Sequence, residues 1–139
     1  MGREFEPEIV ILFCQHSLAD DADLMREMRL ASGFKPRPVI MPCTSKIEVS
    51  HLVKIFGQGA DGIEVVGCAD GKCRFLTGSN LAEKRVEYTR RFLGQLQLGA
   101  DRLGMHRGEG LSGNQMLELA EKRAKAISLL GPNPMKKET

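Results

Sequence analysis

Short apolar runs alternate with helix-length amphipathic segments along the whole chain, and this alternation restricts the possible folds more than any other feature. The run EIVILFC is rich in β-branched residues and predicts a buried strand at Ile9–Phe13. RPVIMP predicts a second strand at Pro38–Met41, and DGIEVVG predicts a third at Gly62–Val66. DRLGMHR predicts a weaker fourth strand, which we expect at a sheet edge.

The first two helix predictions depend on their capping residues. The helix predicted in ADDADLMREMRLASG can begin with Asp20 or Asp21 as its N-cap and stop at Gly33. Asp23 lies in its first turn, where a negative charge pairs favourably with the positive end of the helix dipole. In SKIEVSHLVKIFGQG, Ser45 and the glutamate three residues later match a capping box. We therefore expect the second helix to begin at Ser45.

The last two helices are predicted from their apolar spacing. NLAEKRVEYTRRFLGQLQL carries a set of large apolar residues on one side: Leu81, Tyr88, Phe92 and Leu96. LSGNQMLELAEKRAKAISLL opens with a capping box, Ser112 and Gln115, and has a stripe of Leu117, Ala120, Ala124 and Ile127. The third helix also has a basic run, which predicts a solvated face or, alternatively, a docking face for an acidic partner: Lys84, Arg85, Arg90 and Arg91.

Alternation of this kind predicts an α/β domain in which helices cover both faces of a parallel sheet. We expect a three-layer flavodoxin-like or Rossmann-like domain with a four-stranded parallel sheet in the order 2-1-3-4. The 139 residues suit one domain, assigned to residues 1–130, followed by a C-terminal tail at residues 131–139.

Composition excludes several classes of function. The net charge of +2, from 20 basic and 18 acidic residues, is too balanced for a nucleic-acid binder, and the absence of Trp argues against a base-stacking surface. No apolar run is long enough for a membrane span, and no signal peptide is visible, so a cytoplasmic location is expected. No phosphate-binding glycine motif follows the first strand, which argues against a nucleotide site.

Four cysteines follow the predicted strands: Cys14, Cys43, Cys68 and Cys73. The carboxyl ends of neighbouring parallel strands share one edge of a sheet, and this edge is where such folds bind ligands. We therefore expect the four sulfurs to converge, although they are far apart in the sequence.

Three uses of four converged thiols remain open on the residues alone. Zinc accepts four cysteines, but structural zinc usually uses closely spaced C-x2-C pairs, and none is present. Cys68 and Cys73 form a C-x4-C pair of the kind found in [2Fe–2S] loops. They could also form a reversible disulfide, at a spacing wider than that of most redox pairs.

Residues near the cysteines suit a negatively charged group. Gly67 and Gly71 would let backbone N–H groups approach it, and Lys72 and Arg74 would offset its charge. His16 lies two residues after the first cysteine and could act as a ligand or a hydrogen-bond donor. The helix expected from Ser45 would direct its positive end at the same edge.

The order FCQHSLADDAD, MPCTSKIE and GADGIEVVGCADGKC resembles the delta subunit of methyl-viologen-reducing hydrogenase. Proteins of this family also occur as the iron–sulfur subunit or domain of heterodisulfide-reductase-type complexes. The resemblance covers Ile9–Leu130, and GADGIEVVGC followed by C-x4-C is its most specific part.

The resemblance implies a [2Fe–2S] cluster held by Cys14, Cys43, Cys68 and Cys73. It also implies electron relay between a flavin-containing heterodisulfide-reductase A-like subunit and a further redox subunit, such as a hydrogenase or formate dehydrogenase. Complexes of this type often perform electron bifurcation. Since the sequence offers no nucleophile–base pair, we expect a non-catalytic subunit of an oxidoreductase complex.

One position departs from the family pattern. The family often has C-x-x-C in its first loop, and here Ser17 stands at the second position. The remaining four cysteines would then all be ligands, unless Ser17 or His16 serves in place of the missing thiol.

Overall fold

The computed structural model describes residues 6–14, 19–31, 33–41, 47–67, 78–108 and 110–134. Strands and helices alternate through these residues. The strands are β1 (Glu8–Cys14), β2 (Lys35–Met41), β3 (Gly62–Gly67) and β4 (Leu103–Arg107). The helices are α1 (Asp21–Met28), α2 (Val49–Gly57), α3 (Gly78–Gln95) and α4 (Gly113–Ser128), and a short 3-10 turn at Ala100–Arg102 precedes β4.

The strands form one parallel sheet in the order β2-β1-β3-β4, which confirms the predicted order and places β4 at an edge. Cys14 pairs with Met41 across β1 and β2. Gly67 pairs with Arg107 across β3 and β4. The last residues of the strands therefore lie along one edge, which we call the carboxyl edge.

Two apolar cores lie on opposite faces of the sheet, so the predicted three-layer α/β architecture is confirmed. On one face, alternate residues of β1 pack with α1 and α4; this core includes Ile9, Ile11, Phe13, Leu24, Met116 and Ile127. On the other face, the intervening residues pack with α2 and α3; this core includes Val10, Leu12, Leu52, Phe56, Val86 and Leu93. The period-2 pattern of the strands puts successive side chains into the two cores.

Two of the predicted helix caps are confirmed. The Asp20 carboxylate accepts a hydrogen bond from the Ala22 N–H at 2.9 Å and caps α1. At α4, the Gln115 N–H donates to the Ser112 hydroxyl at 3.1 Å, and the Ser112 N–H donates to the Gln115 side chain at 2.9 Å. This reciprocal pair is the predicted capping box.

The predicted start of the second helix is wrong. Ser45 lies outside the described residues, but Ile47 and Glu48 are not helical, and α2 begins at Val49 with Glu48 as its N-cap. The Glu48 N–H donates to His51 Nδ1 at 3.1 Å, so a histidine three residues on supplies the acceptor. A capping box starting at Glu48 was less visible in the sequence than the Ser45 pattern.

The large apolar residues of α3 lie on its solvent side. The helix buries a different face, made of Ala82, Val86, Thr89 and Leu93. Tyr88, Phe92 and Leu96 are exposed, and the Leu81 side chain lies outside the description.

The basic run of α3 is only partly the solvated face that we predicted. Arg85 Nη1 donates to the Ile47 carbonyl at 2.7 Å, and Arg90 Nε donates to the Ala100 carbonyl at 3.3 Å. Lys84 and Arg91 are exposed.

A buried polar cluster lies at the end of the sheet opposite the carboxyl edge. The Asp61 carboxylate accepts from the Glu8 N–H at 2.8 Å and from the Asn133 N–H at 2.9 Å. The Asn133 side chain donates to the carbonyls of Phe56 and Ala60. Residues 131–134, the start of the segment assigned as a tail, are thus fixed to the domain.

Arg102 completes this cluster. Arg102 is 2% exposed, and its guanidinium donates to backbone carbonyls of Leu98, Asp61, Gly131 and Pro132. Burial lowers the pKa of Arg102, and the charge of Asp61 opposes that shift. We call Asp61, Arg102 and Asn133 the C-terminal clasp.

Candidate functional site at the carboxyl edge

Cys14 is the last residue of β1 and is 1% exposed. Val10 and Leu12 belong to the core between the sheet and helices α2 and α3. Because side chains alternate along a strand, the Cys14 thiol projects on that same face. The sulfur is therefore at the carboxyl edge, on the α2 and α3 side of the sheet.

The strand ends beside Cys14 lead directly into two further cysteines. Met41 pairs with Cys14, and Cys43 comes two residues later in the sequence. On the other side, Phe13 pairs with Val66, and Cys68 directly follows Gly67 at the end of β3. Neighbouring strands lie about 4.8 Å apart. The backbone thus brings together one cysteine and the two strand ends that precede the others.

Most of the predicted site lies outside the described residues. These positions are Cys43, Cys68, Cys73, His16, Ser17, Gly71, Lys72 and Arg74. Their convergence with Cys14 stays a prediction. Gly67 is described and buried, and it is the last residue of β3.

Described residues around the carboxyl edge are hydrogen-bonded to one another. The Gly67 carbonyl accepts from the Gly108 N–H at 2.9 Å, and the Ala19 N–H donates to the Leu111 carbonyl at 2.9 Å. These bonds connect the end of β3, and the segment just before α1, to the segment that follows β4. Arg107, at the end of β4, also forms an ion pair with Glu83 of α3. The edge is therefore braced on the β4 side.

Asp23 caps α4 rather than its own helix. Its Oδ2 accepts from the Gly113 N–H at 2.7 Å, and its Oδ1 accepts from Arg26 at 2.8 Å. The bond from Gly113, followed by that from Arg26, lowers the pKa of Asp23. The sequence assigned Asp23 to capping but could not show that its partner lies 90 residues away.

A buried ion pair that the sequence did not reveal lies on the opposite face of the sheet. Glu64 of β3 is 4% exposed, and Arg123 Nε of α4 donates to its Oε1 at 2.8 Å. Burial raises the pKa of Glu64, and the charge of Arg123 acts against this rise. The guanidinium crosses β4 above Gly104, where a Cβ atom would lie 1.8 Å from Arg123 Nη2. Glu64 and Arg123 are 59 residues apart, so no short sequence pattern predicts this ion pair.

Within the described ranges, no three His, Cys, Asp or Glu side chains gather as a metal-ion site. Also within those ranges, no helix combines the length and the apolar character that crossing a membrane requires.

Comparison with known proteins identifies similar chains. Residues 9–131 match the family described as methyl-viologen-reducing hydrogenase, delta subunit. The iron-sulfur subunit of the vhu F420-non-reducing hydrogenase of Methanococcus voltae is 33% identical over 132 residues, which cover 95% of this chain and 98% of that protein. The protein of the same name from Methanocaldococcus jannaschii is 30% identical over 131 residues, with 94% and 98% covered.

A longer protein also contains a similar region. It is the A-type subunit of the ferredoxin/F420H2-dependent CoB–CoM heterodisulfide reductase of Methanosarcina acetivorans, which is 23% identical over 126 residues. These residues are 91% of this chain and 16% of that protein.

Proposed function

The chain belongs to the delta-subunit family of methyl-viologen-reducing hydrogenase, and on this premise we propose that it is an electron-transfer subunit carrying a [2Fe–2S] cluster. The proposed ligands are Cys14, Cys43, Cys68 and Cys73. The relatives in Methanococcus voltae and Methanocaldococcus jannaschii are named iron-sulfur subunits, which supports an iron–sulfur group here.

The observation that carries the proposal is the place of Cys14. It is buried at the carboxyl edge, between the strand ends that run into Cys43 and Cys68. The donor set fits the group, since iron–sulfur clusters are held by four thiolates and a C-x4-C pair occurs among their ligand spacings. Gly67 adds a strand end without a side chain beside this set.

When bound, a cluster of this type supplies one-electron transfer. The chain's own residues do the remaining work. Cys14 provides a thiolate fixed by a central strand, and burial keeps bulk water away from its sulfur. The bonds of the Gly67 carbonyl and the Ala19 N–H hold described residues at the carboxyl edge, which limits the rearrangement there that a change of charge would cause.

The proposed partners are a heterodisulfide-reductase A-like subunit, which contains flavin, and a further redox subunit such as a hydrogenase. A region similar to this chain forms part of the Methanosarcina heterodisulfide reductase protein, which supports cooperation between the two kinds of protein. We propose that the chain passes electrons between these partners in the cytoplasm, in a complex capable of electron bifurcation.

Anaerobic purification followed by analysis of iron, acid-labile sulfide and zinc tests the proposal. We expect about two irons and two sulfides per chain, with a spin-half EPR signal after reduction by dithionite. Zinc without sulfide would instead favour a zinc-stabilised interaction domain. A metal-free chain with a reversible Cys68–Cys73 disulfide would favour a thiol redox protein.

Substitution of the ligands gives the first residue-level prediction. Cys14→Ser and Cys68→Ser should each lower cluster content at least about tenfold, because a hydroxyl is a much poorer ligand for iron than a thiolate. Val10→Ala is the matched control: it removes buried volume from β1 on the same face but should keep iron and sulfide. Unchanged iron in Cys14→Ser would contradict the assignment of the site.

A further inference from the structure

The four strands of the sheet end in a row of residues that we call the strand-end row. In spatial order the row is Met41 of β2, Cys14 of β1, Gly67 of β3 and Arg107 of β4. The register of the three strand pairs makes neighbours in this order adjacent in the sheet. Of these four residues, Arg107 is the one that carries a permanent charge. A cation therefore lies two strands away from the buried cysteine.

Arg107 and Cys14 project on the same side of the sheet. Leu103 and Met105 of β4 pack into the core on the α2 and α3 side, and side chains alternate along a strand, so Arg107 projects there as well. Gly67 lies between Arg107 and Cys14 in the row and contributes no side chain. Because neighbouring strands are about 4.8 Å apart, the backbones of Arg107 and Cys14 are about 10 Å apart.

Helix α3 holds the Arg107 guanidinium on this side. Arg107 forms an ion pair with Glu83, which lies in the N-terminal half of α3. The Arg107 side chain is 21% exposed, whereas that of Glu83 is 56% exposed. Water and salt therefore screen the carboxylate more than the guanidinium, and the positive end of the pair acts more strongly within the protein.

Folding stability does not account well for this ion pair. An ion pair with a largely exposed partner contributes little to folding, because water already stabilises the exposed charge. β4 is held independently of the pair, since it hydrogen-bonds with β3 along its length and buries Leu103 completely. The effect of the pair is then mainly the positive potential that it produces along the strand-end row.

From this arrangement we propose that the Arg107 guanidinium raises the electron affinity of the cysteine site at the carboxyl edge, while Glu83 positions it and moderates its charge. The inference rests on the proposed function, since it concerns an electron accepted at that site. A positive charge about 10 Å away, partly screened by protein and water, changes a one-electron equilibrium about tenfold. The reductant loses the electron that the site gains, and Arg107 and Glu83 exchange neither atoms nor protons with it.

The test is a redox titration of the full-length chain, purified anaerobically, reduced with dithionite in the presence of mediators and followed by EPR. At a fixed potential, Arg107→Gln should lower the ratio of reduced to oxidised centre about tenfold, a shift of about 59 mV for one electron. Arg107→Lys keeps the positive charge and should retain most of the wild-type ratio. Glu83→Gln removes the opposing charge and should raise the ratio at least about threefold.

The matched control is Arg37→Gln, which removes the same charge at the other end of the sheet. Arg37 pairs with Glu8, and Glu8 and Cys14 are the two ends of the seven-residue strand β1. At about 3.3 Å per residue this separation is about 20 Å, twice the screening length of about 10 Å at 0.1 M salt. Arg37→Gln should therefore change the ratio less than about twofold.

Three results would overturn the proposal. These are an unchanged ratio in Arg107→Gln, shifts in the same direction in Arg107→Gln and Glu83→Gln, and an equal shift in Arg37→Gln. Shifts in the same direction would mean that the ion pair acts by holding the structure rather than by its charge.

Iron and sulfide are measured in the same samples. A full cluster whose potential does not respond to Arg107→Gln refutes the role of Arg107 and leaves the proposed function standing. A wild-type chain without iron and sulfide refutes the proposed function, and this inference with it.

Discussion

At the scale of single residues, Asp23 shows how a side chain can connect two helices and make stability depend on pH. Its carboxylate accepts the Gly113 N–H, so the ionised form is favoured in the folded chain and the pKa of Asp23 is lowered. A lowered folded pKa means that the stabilisation is present above the ordinary aspartate pKa and is lost as pH falls through the lowered value.

Asp23→Asn should therefore destabilise the protein at pH 7 and become equivalent to the wild type in strong acid. Urea unfolding between pH 7 and pH 2.5 measures this difference. Arg26→Gln is the companion variant: Arg26 is 70% exposed, so its ion pair contributes little, and most of the pH dependence should remain. An Asp23→Asn deficit that does not shrink on acidification would contradict the role of ionisation.

Glu64 and Arg123 depend on each other inside the protein. Arg123→Met would leave a carboxylate that is almost fully buried without its cation, and we expect a loss of about 3 kcal/mol at pH 8. The pKa of Glu64 is already raised by burial, and it would rise further without Arg123. A raised pKa of Glu64 in the folded state stabilises the protein below the ordinary glutamate pKa, and this stabilisation is lost as pH rises. The loss of stability caused by Arg123→Met should therefore be smaller at pH 5 than at pH 8.

The double variant Glu64→Gln with Arg123→Met provides the control. It removes both charges, so it should recover part of the stability that Arg123→Met loses at pH 8. A double variant as unstable as the single one would show that Arg123 acts through its packing over Gly104 instead.

At the scale of elements, α1 and α4 approach so closely that the first residue of α4 has no room for a side chain. A Cβ atom on Gly113 would lie 2.6 Å from the Asp23 carbonyl oxygen, and a backbone atom cannot easily move away. Gly113→Ala should therefore cost about 2 kcal/mol, measured by chemical unfolding.

Gly94 of α3 gives the opposite expectation from the same substitution. Among the described residues, nothing beyond the local helix backbone lies within 4 Å of a Cβ placed there. Gly94→Ala should therefore raise the free energy of unfolding by about 0.5–1 kcal/mol through helix propensity. If both variants changed stability in the same direction, the close approach of α1 and α4 would not be the cause of the Gly113 effect.

At the scale of the whole molecule, the C-terminal clasp joins the last described residues to the sheet. Truncation after Leu130 would remove Asn133 and two carbonyl acceptors of Arg102, leaving Asp61 and Arg102 buried with fewer partners. We expect a loss of more than about 3 kcal/mol. Truncation after Pro134 keeps every bond of the clasp described above and should unfold in urea as the full chain does.

The sequence was sufficient for the order of strands and for the edge on which the cysteines are expected to gather, because the apolar runs of β1 and β3 carry their own signal. It misplaced the start of α2, since two overlapping capping patterns compete there and Glu48 with His51 prevails. The sequence did not indicate the buried ion pair between Glu64 and Arg123, and it did not indicate the C-terminal clasp. Their partners are distant in the sequence, so each residue alone resembles an ordinary surface charge.

One consequence of the clasp concerns how such a domain can be joined to other polypeptides. Asp61 accepts from the backbone N–H groups of both Glu8 and Asn133, so the first strand and the last described residues meet at one point. That point lies at the far end of the sheet from Cys14. Neighbouring exits allow a domain to be spliced into a longer protein with little distortion. Flanking segments of a longer polypeptide, joined at these neighbouring exits, would therefore lie at the end of the sheet away from Cys14.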